Sequence, residues 1–456
     1  MKIYKIFQYA MLFGAALMIN ACAGEEEDIF DQSAAERLNT SSDKYSSILE
    51  GAKGGWVVEY YPTNSNAPTT GEGYLWLVKF FNDQQVLVAM NNQFSNNIYA
   101  EDSSAWEVIT DNGPVLSFNS YNKNVHTFSD PDVQSIPGND DNVWGVGVGG
   151  DYEFVIVDAP VTKNAAEEPF VMLKGKKRGT YNRMTQLPDT TNFQQYLADV
   201  QSFQKSKFST SIPNKCMMTI GEEHYYITNA GTGIAGMYLE NEDPLTTTTQ
   251  HPFMVTKRDG KYYLRFRSSM KSDDITVQEF VYNKDADRFE VEGNDALRIE
   301  GEPVQHFFVE QMNSNSHRWQ WTASSDMSDS FATLLSQVVQ GFRSAGYTFT
   351  NMQFRRVNEN VVLRIQYRQR SSSSAVDYIF SVDEQADGVV LKYVSPVPTA
   401  NNSGERILTA IPVINDLFTA LSQKVAVTPA ISNFNLSTVK LAMVNDNNTW
   451  FNVTWY

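Results

Sequence analysis

The groups able to do chemistry in this chain are few and scattered. Its five histidines are His126, His224, His251, His306 and His317, and no two stand at a metal-binding interval such as His-Glu-x-x-His. His224 follows two glutamates but has no second imidazole nearby, so no zinc site is expected. The acids of Ser129–Asn142, which include Asp130, Asp132, Asp140 and Asp141, do not have the spacing of a calcium-binding loop. Asn283–Gly293 lacks the glycine that such a loop needs at its sixth position. Gly145–Gly150 formally matches G-x-G-x-x-G, but a strand pattern follows it where a nucleotide site needs a helix. No G-x-S-x-G nucleophile elbow occurs. Cys216 has no neighbouring base, so it reads as a buried apolar residue rather than a nucleophile. No cofactor, metal or catalytic residue is assigned.

Aromatic and basic residues are the other candidates. Trp319 and Trp321 share one face of a strand with His317, and Trp144 sits beside the acidic, glycine-rich loop. These three tryptophans are the candidate ligand-binding residues, because an exposed ring can stack on a sugar or hold a peptide. Arg355, Arg356, Arg364, Arg368 and Arg370 form a local basic group in an acidic protein, either a solvated sheet face or a docking point for an acidic ligand.

The other cysteine has a different chemistry. Lys2 and Lys5 precede an apolar run from Ile6 to Ile19. That run is shorter than the roughly 20 residues a spanning helix needs, and it has the form of a secretory signal peptide. It ends in Ile19-Asn20-Ala21-Cys22, the pattern of a bacterial lipobox, with Asn20 an unusual middle residue. Cleavage is expected between Ala21 and Cys22, with acyl chains such as palmitate anchoring Cys22 in lipid. Glu25, Glu26, Glu27 and Asp28 follow at once as a solvated tether and as an export signal to the cell surface. With Cys22 acylated, Cys216 has no partner for a disulfide.

The elements that carry these residues lean towards β-structure. Hydrophobic residues make up 42% of the chain and charged residues only 20%, which suits folded cores. A net charge of −17 repels phosphate backbones, so nucleic acid is excluded as a partner. Helical spacing recurs at Ala34–Leu49, at Phe193–Phe203 with Asp189 or Thr190 as its cap, and after Asp326 with Phe331, Leu334, Leu335, Val338 and Phe342 on one face. A fourth helix, Ile407–Leu421, is limited or kinked by Pro412. Between the helices lie short strand-like runs. In one of them Leu363, Ile365 and Tyr367 alternate with Arg364, Gln366 and Arg368. The expected class is α+β, with mainly antiparallel sheets and a few amphipathic helices, in three helix-plus-β-meander units. The boundaries are 1–21 for the signal, 22–31 for the tether, 32–188 for the N-terminal domain, 189–325 for the middle unit and 326–456 for the C-terminal unit.

The segments IFDQSAAERL, GGWVVEYYP, GPVLSFNSYN, HTFSDPD, GGDYEFVI and LKGKKRGTYNRM lie within residues 28–187. Together with the leader they resemble the Bacteroidetes lipoproteins grouped as the domain of unknown function 4302 family. That resemblance implies no activity. It implies an outer-membrane location and an accessory role beside a SusC/SusD-like nutrient importer. The expected function is therefore a surface-exposed, non-catalytic lipoprotein that binds a glycan, a peptide or the importer. The alternative is a lipid-anchored hydrolase whose carboxylates are scattered along the chain.

Overall fold

The computed structural model describes residues 34–62, 71–111, 113–132, 148–159, 169–208, 215–228 and 230–456. Ala21, Cys22, Glu25, Glu26, Glu27, Asp28 and Trp144 lie outside the described residues. The chain is mostly antiparallel sheet with helices packed on it, in three successive β-bodies.

The first body is a nine-stranded sheet. Its strands are β1 (Trp56–Tyr60), β2 (Tyr74–Phe80), β3 (Gln85–Met90), β4 (Ala100–Ala105), β5 (Glu107–Thr110), β6 (Pro114–Ser117), β7 (Glu153–Asp158), β8 (Phe170–Gly175) and β9 (Tyr181–Gln186), in the spatial order 4-3-2-1-9-8-7-6-5. β1 lies fourth in that order, inside the sheet, and is buried along its whole length because both its faces are covered. Trp56, Val58 and Tyr60 point into the first core, where Tyr60 stacks on Trp76 at 3.8 Å between ring centroids. Val57 points the other way, and with Leu77 and Ala89 it joins the core of the second body.

The second and third bodies are closed eight-stranded barrels. The second runs from β10 (Cys216–Ile220) to β17 (Asn294–Gly301), which pair with each other to close it. The third runs from β18 (Arg318–Trp321) through β19 (Thr348–Val357), β20 (Asn360–Gln369) and β21 (Ser372–Gln385) to β25 (Asp446–Trp455), which pairs back onto β18. Closure removes the exposed sheet edges that an open meander would leave.

The helices follow the apolar periodicity. Ala34–Gly51 buries Leu49 against the first core. Phe193–Phe208 buries Tyr196, Leu197 and Val200. Its cap, however, is neither Asp189 nor Thr190: Asn192 Oδ1 accepts the Gln195 N–H at 2.9 Å. Asp329–Ser344 buries Phe331, Leu335, Val338 and Phe342, and Ser328 caps it. Around Pro412 the fourth helical stretch splits into Ser403–Ala410 and Ile414–Leu421. The third core starts before residue 326. Phe307 and Phe308 of the helix Val304–Met312, together with Trp319 and Trp321, belong to it.

The second and third bodies are joined tightly. Phe434, from the third body, is fully buried in the second core beside Phe208 and Phe289. Asp287 ties this insertion down. Its Oδ1 accepts from Lys207 Nζ and Tyr282 Oη, each at 2.6 Å. Its Oδ2 accepts from Ser432 Oγ at 2.7 Å and Asn433 N at 2.6 Å. Gly301 is required here, since a Cβ would sit 1.7 Å from the Asn433 carbonyl oxygen.

Candidate functional site

A cavity of about 260 Å³ opens where the first sheet meets the second barrel. Three separate parts of the chain build it. The first sheet contributes Glu72, Tyr74 and Leu75 at the entry to β2, and Asn91, Asn92, Gln93 and Asn97 after β3. The helix Phe193–Phe208 supplies Leu197, Val200, Gln201, Gln204 and Lys205. The barrel adds Gly231, Gly233 and the apolar wall Phe253–Val255.

The polar side is ordered. Asn92 caps the short 3₁₀ turn Gln93–Ser95, accepting from Phe94 N at 2.9 Å. Asn97 N–H donates to Asn92 O at 2.7 Å, and Asn96 and Asn97 both hold left-handed backbone, which asparagine tolerates. This turn positions Gln93, whose Nε2 donates to Tyr74 Oη at 2.9 Å. Tyr74 in turn donates to Glu72 Oε2 at 2.9 Å. Burial pushes the Glu72 carboxyl up to about 7, against the pull of the tyrosine hydrogen bond. Asn91 Oδ1 is buried without a hydrogen-bond partner among the described residues. The site thus presents amides, one carboxyl poised near neutrality and one lysine over an apolar wall. Such a lining suits a small polar ligand, and its volume is below the roughly 300–1,000 Å³ of drug-sized sites.

A second polar cluster lies deeper in the same junction. Glu59 is almost fully buried on the outward face of β1, with Arg265 Nε at 3.6 Å. Burial raises its carboxyl, Arg265 pulls it down, and Glu279 pushes it up again. Arg258 pairs with Glu279 at 2.5 Å.

The residues singled out from sequence are dispersed. Trp319 and Trp321 do share a face, but that face is the barrel interior, where they are 0% and 1% exposed. Trp319 Nε1 donates to the Phe308 carbonyl. Neither ring has a free face for a ligand, which corrects the expectation for both. The histidines stand apart: His126 between Tyr121 and Tyr152, His224 against Thr219, His251 against Thr249, His306 against Glu384 and His317 against Trp455. Among the described residues, no group of three or more His, Cys, Asp or Glu is placed to hold a metal. Cys216 is buried and its thiol is pushed up to about 12, chiefly by desolvation. Glu72, Tyr74, Gln93, Gln201 and Gln204 had escaped notice. The local hint was Glu72-x-Tyr74 leading into a strand, where alternate residues share a face.

The model of the domain of unknown function DUF4302 matches residues 26–284. The chain belongs to the DUF4302 family. That description assigns no activity, and no curated protein matches the chain. Among solved structures, the DNA polymerase III β subunit of Thermotoga maritima aligns over 91% of this chain and 97% of its own, at 8% identity and a TM-score of 0.13. The β subunit from DNA polymerase of Streptococcus pyogenes aligns over 96% and 97%, at 10% identity and a TM-score of 0.12. Scores this low bear on neither the fold nor the function of this DUF4302 chain.

Proposed function

We propose that this DUF4302 protein is a lipid-anchored binding protein of the Bacteroidetes outer membrane. Cys22 carries the acyl chains, and Glu25, Glu26, Glu27 and Asp28 direct the body to the cell exterior. There it serves a SusC/SusD-like importer by capturing a small polar ligand, of glycan or peptide origin, in the cavity at Glu72. The three β-bodies act as three helix-led units, and the cavity lies between the first two. The observation that carries the binding role is the amide-rich lining, which offers Asn91, Gln201 and Gln204 to a ligand's hydroxyl or amide groups.

The purified protein should show a thermal shift with at least one of glucose, N-acetylglucosamine or diglycine at millimolar concentration. Gln201→Ala combined with Gln204→Ala should remove it. No shift with any probe, or an unchanged shift in the variant, would count against the pocket. In cells, Cys22→Ala should abolish palmitate labelling and release the protein from membranes. Protease added to intact cells should degrade the wild type.

One observation favours a hydrolase: Glu72 is a carboxyl raised to about 7 inside a cavity, as a general acid requires. It is the sole carboxylate among the described lining residues, whereas glycoside hydrolysis uses two. Release of sugar or peptide product that stops in Glu72→Gln would replace the binding role with catalysis.

A further inference from the structure

The outer face of the third barrel carries two guanidinium groups with no ion-pair partner in contact among the described residues; Asp377, engaged by Arg364, is the carboxylate whose field reaches Arg355. Arg318 on β18 and Arg355 on β19 are direct cross-strand partners. Trp319, Trp321 and Phe354 between them fill the interior, so the arginines stand on the outside. The nearby Arg364 is satisfied: its Nε and a terminal nitrogen grip both oxygens of Asp377, at 2.7 and 2.8 Å. Arg318 and Arg355 have no such acid among the described residues. The Nε of each is buried and makes no hydrogen bond among the described residues. Arg318 instead lies over the half-exposed ring of Tyr456, 5.4 Å from its centroid.

Beside the pair runs a ladder of amides. Gln353 Nε2 donates to Gln320 Oε1 at 3.0 Å and to Asn351 Oδ1 at 3.1 Å, and Asn351 Nδ2 donates to Gln366 Oε1 at 2.9 Å. Gln353 is 3% exposed, yet its Oε1 has no hydrogen-bond partner among the described residues. In a chain with 53 acidic residues against 36 basic ones, two adjacent guanidiniums that share a single nearby carboxylate, Asp377, already gripped by Arg364, keep an excess of positive charge. Burial first, and then the like charges of Arg364 and Arg318, lower the Arg355 guanidinium, against the opposing pull of Asp377.

We infer that Arg318 and Arg355 form a receptor for the anionic group of an acidic saccharide, with Tyr456 meeting the sugar's ring and the partly exposed ends of the amide ladder, Gln320 and Gln366, its hydroxyls. A planar guanidinium fork matches a carboxylate or a sulfate ester. An aromatic face beside amides fits a pyranose better than an acidic peptide alone.

The test titrates the whole protein with oligogalacturonate for the carboxylate, chondroitin sulfate for the sulfate ester, maltohexaose as the neutral control and poly-glutamate as the peptide control. At least one acidic saccharide should bind, with affinity falling as salt rises. The Arg318→Gln, Arg355→Gln double variant should weaken it by about tenfold or more. Arg355→Lys keeps the charge but loses the fork and should weaken it nearly as much, which covers failure of the double variant to fold. Arg370→Gln should bind as the wild type does. Binding to neither acidic saccharide, equal binding of poly-glutamate, or unchanged affinity in both Arg355 variants would overturn the site.

Discussion

Two junctions connect the three β-bodies, and they are built in opposite ways. Between the first sheet and the second barrel the contact is partly open and polar, with the Glu72 cavity at its rim and Glu59 and Arg265 within. Between the second and third bodies it is sealed by Phe434, and Asp287 accepts four hydrogen bonds around it. A contact that leaves polar groups facing a void holds part of its hydrogen-bonding capacity for something else. A contact that buries a phenylalanine and satisfies both carboxylate oxygens holds none back. The first is suited to binding, the second to permanence.

This contrast breaks most severely at Phe434. Phe434→Ala should cost about 3–5 kcal/mol, seen as a large fall in Tm by calorimetry, with any ligand response at the Glu72 cavity retained. If the loss were near zero, the insertion would not be a weld. Asp287→Asn comes next. It leaves the nearly buried Lys207 without its counter-charge and should cost roughly 3 kcal/mol near neutral pH. Burial opposes the Asp287 charge, but hydrogen bonds led by Lys207 and Tyr282 hold its carboxyl below the ordinary 3.8. Its contribution is therefore present above 3.8 and lost as pH falls through the lower folded value. The stabilities of wild type and Asp287→Asn should converge in strong acid.

The open junction should answer differently. Glu72 is raised from 4.5 to about 7. It favours the folded state fully below 4.5 and loses that contribution as pH rises through about 7. Glu72→Gln should flatten this part of the pH–stability curve and exceed the wild type in Tm at pH 8. A steeper fall in the variant would show that the carboxylate has a partner. The smallest effect belongs to Tyr74→Phe, which breaks the Gln93–Tyr74–Glu72 chain at its centre. It should cost about 1 kcal/mol in urea melts, since the cavity side admits water.

Much of the local structure was legible in the sequence. Leu363, Ile365 and Tyr367 face inward because a half-buried strand must alternate, and the 3.6-residue spacing placed the helix after Asp326. Trp319 and Trp321 mark the limit of such inference. Periodicity shows that two side chains share a face, not whether a sheet curls to enclose that face. The cap of Phe193–Phe208 was misplaced because Asp189, Thr190 and Asn192 are all able caps, and only backbone geometry selects Asn192. The Glu72 cavity was hidden for a different reason: its amides come from residues near 91 and 201, set against Gly231 and Gly233 by docking that no short motif encodes.

Phe434 also sets an order of events during synthesis. The strands of the second barrel are complete at Gly301, yet its core lacks one aromatic ring until a segment far downstream has emerged. N-terminal parts of a chain generally fold first as it is made. Here the middle body must wait, its core one ring short, for a segment that lies between late strands of the third body. A ribosome that stalls, or a protease that trims the chain before residue 434, would leave two bodies unfinished rather than one.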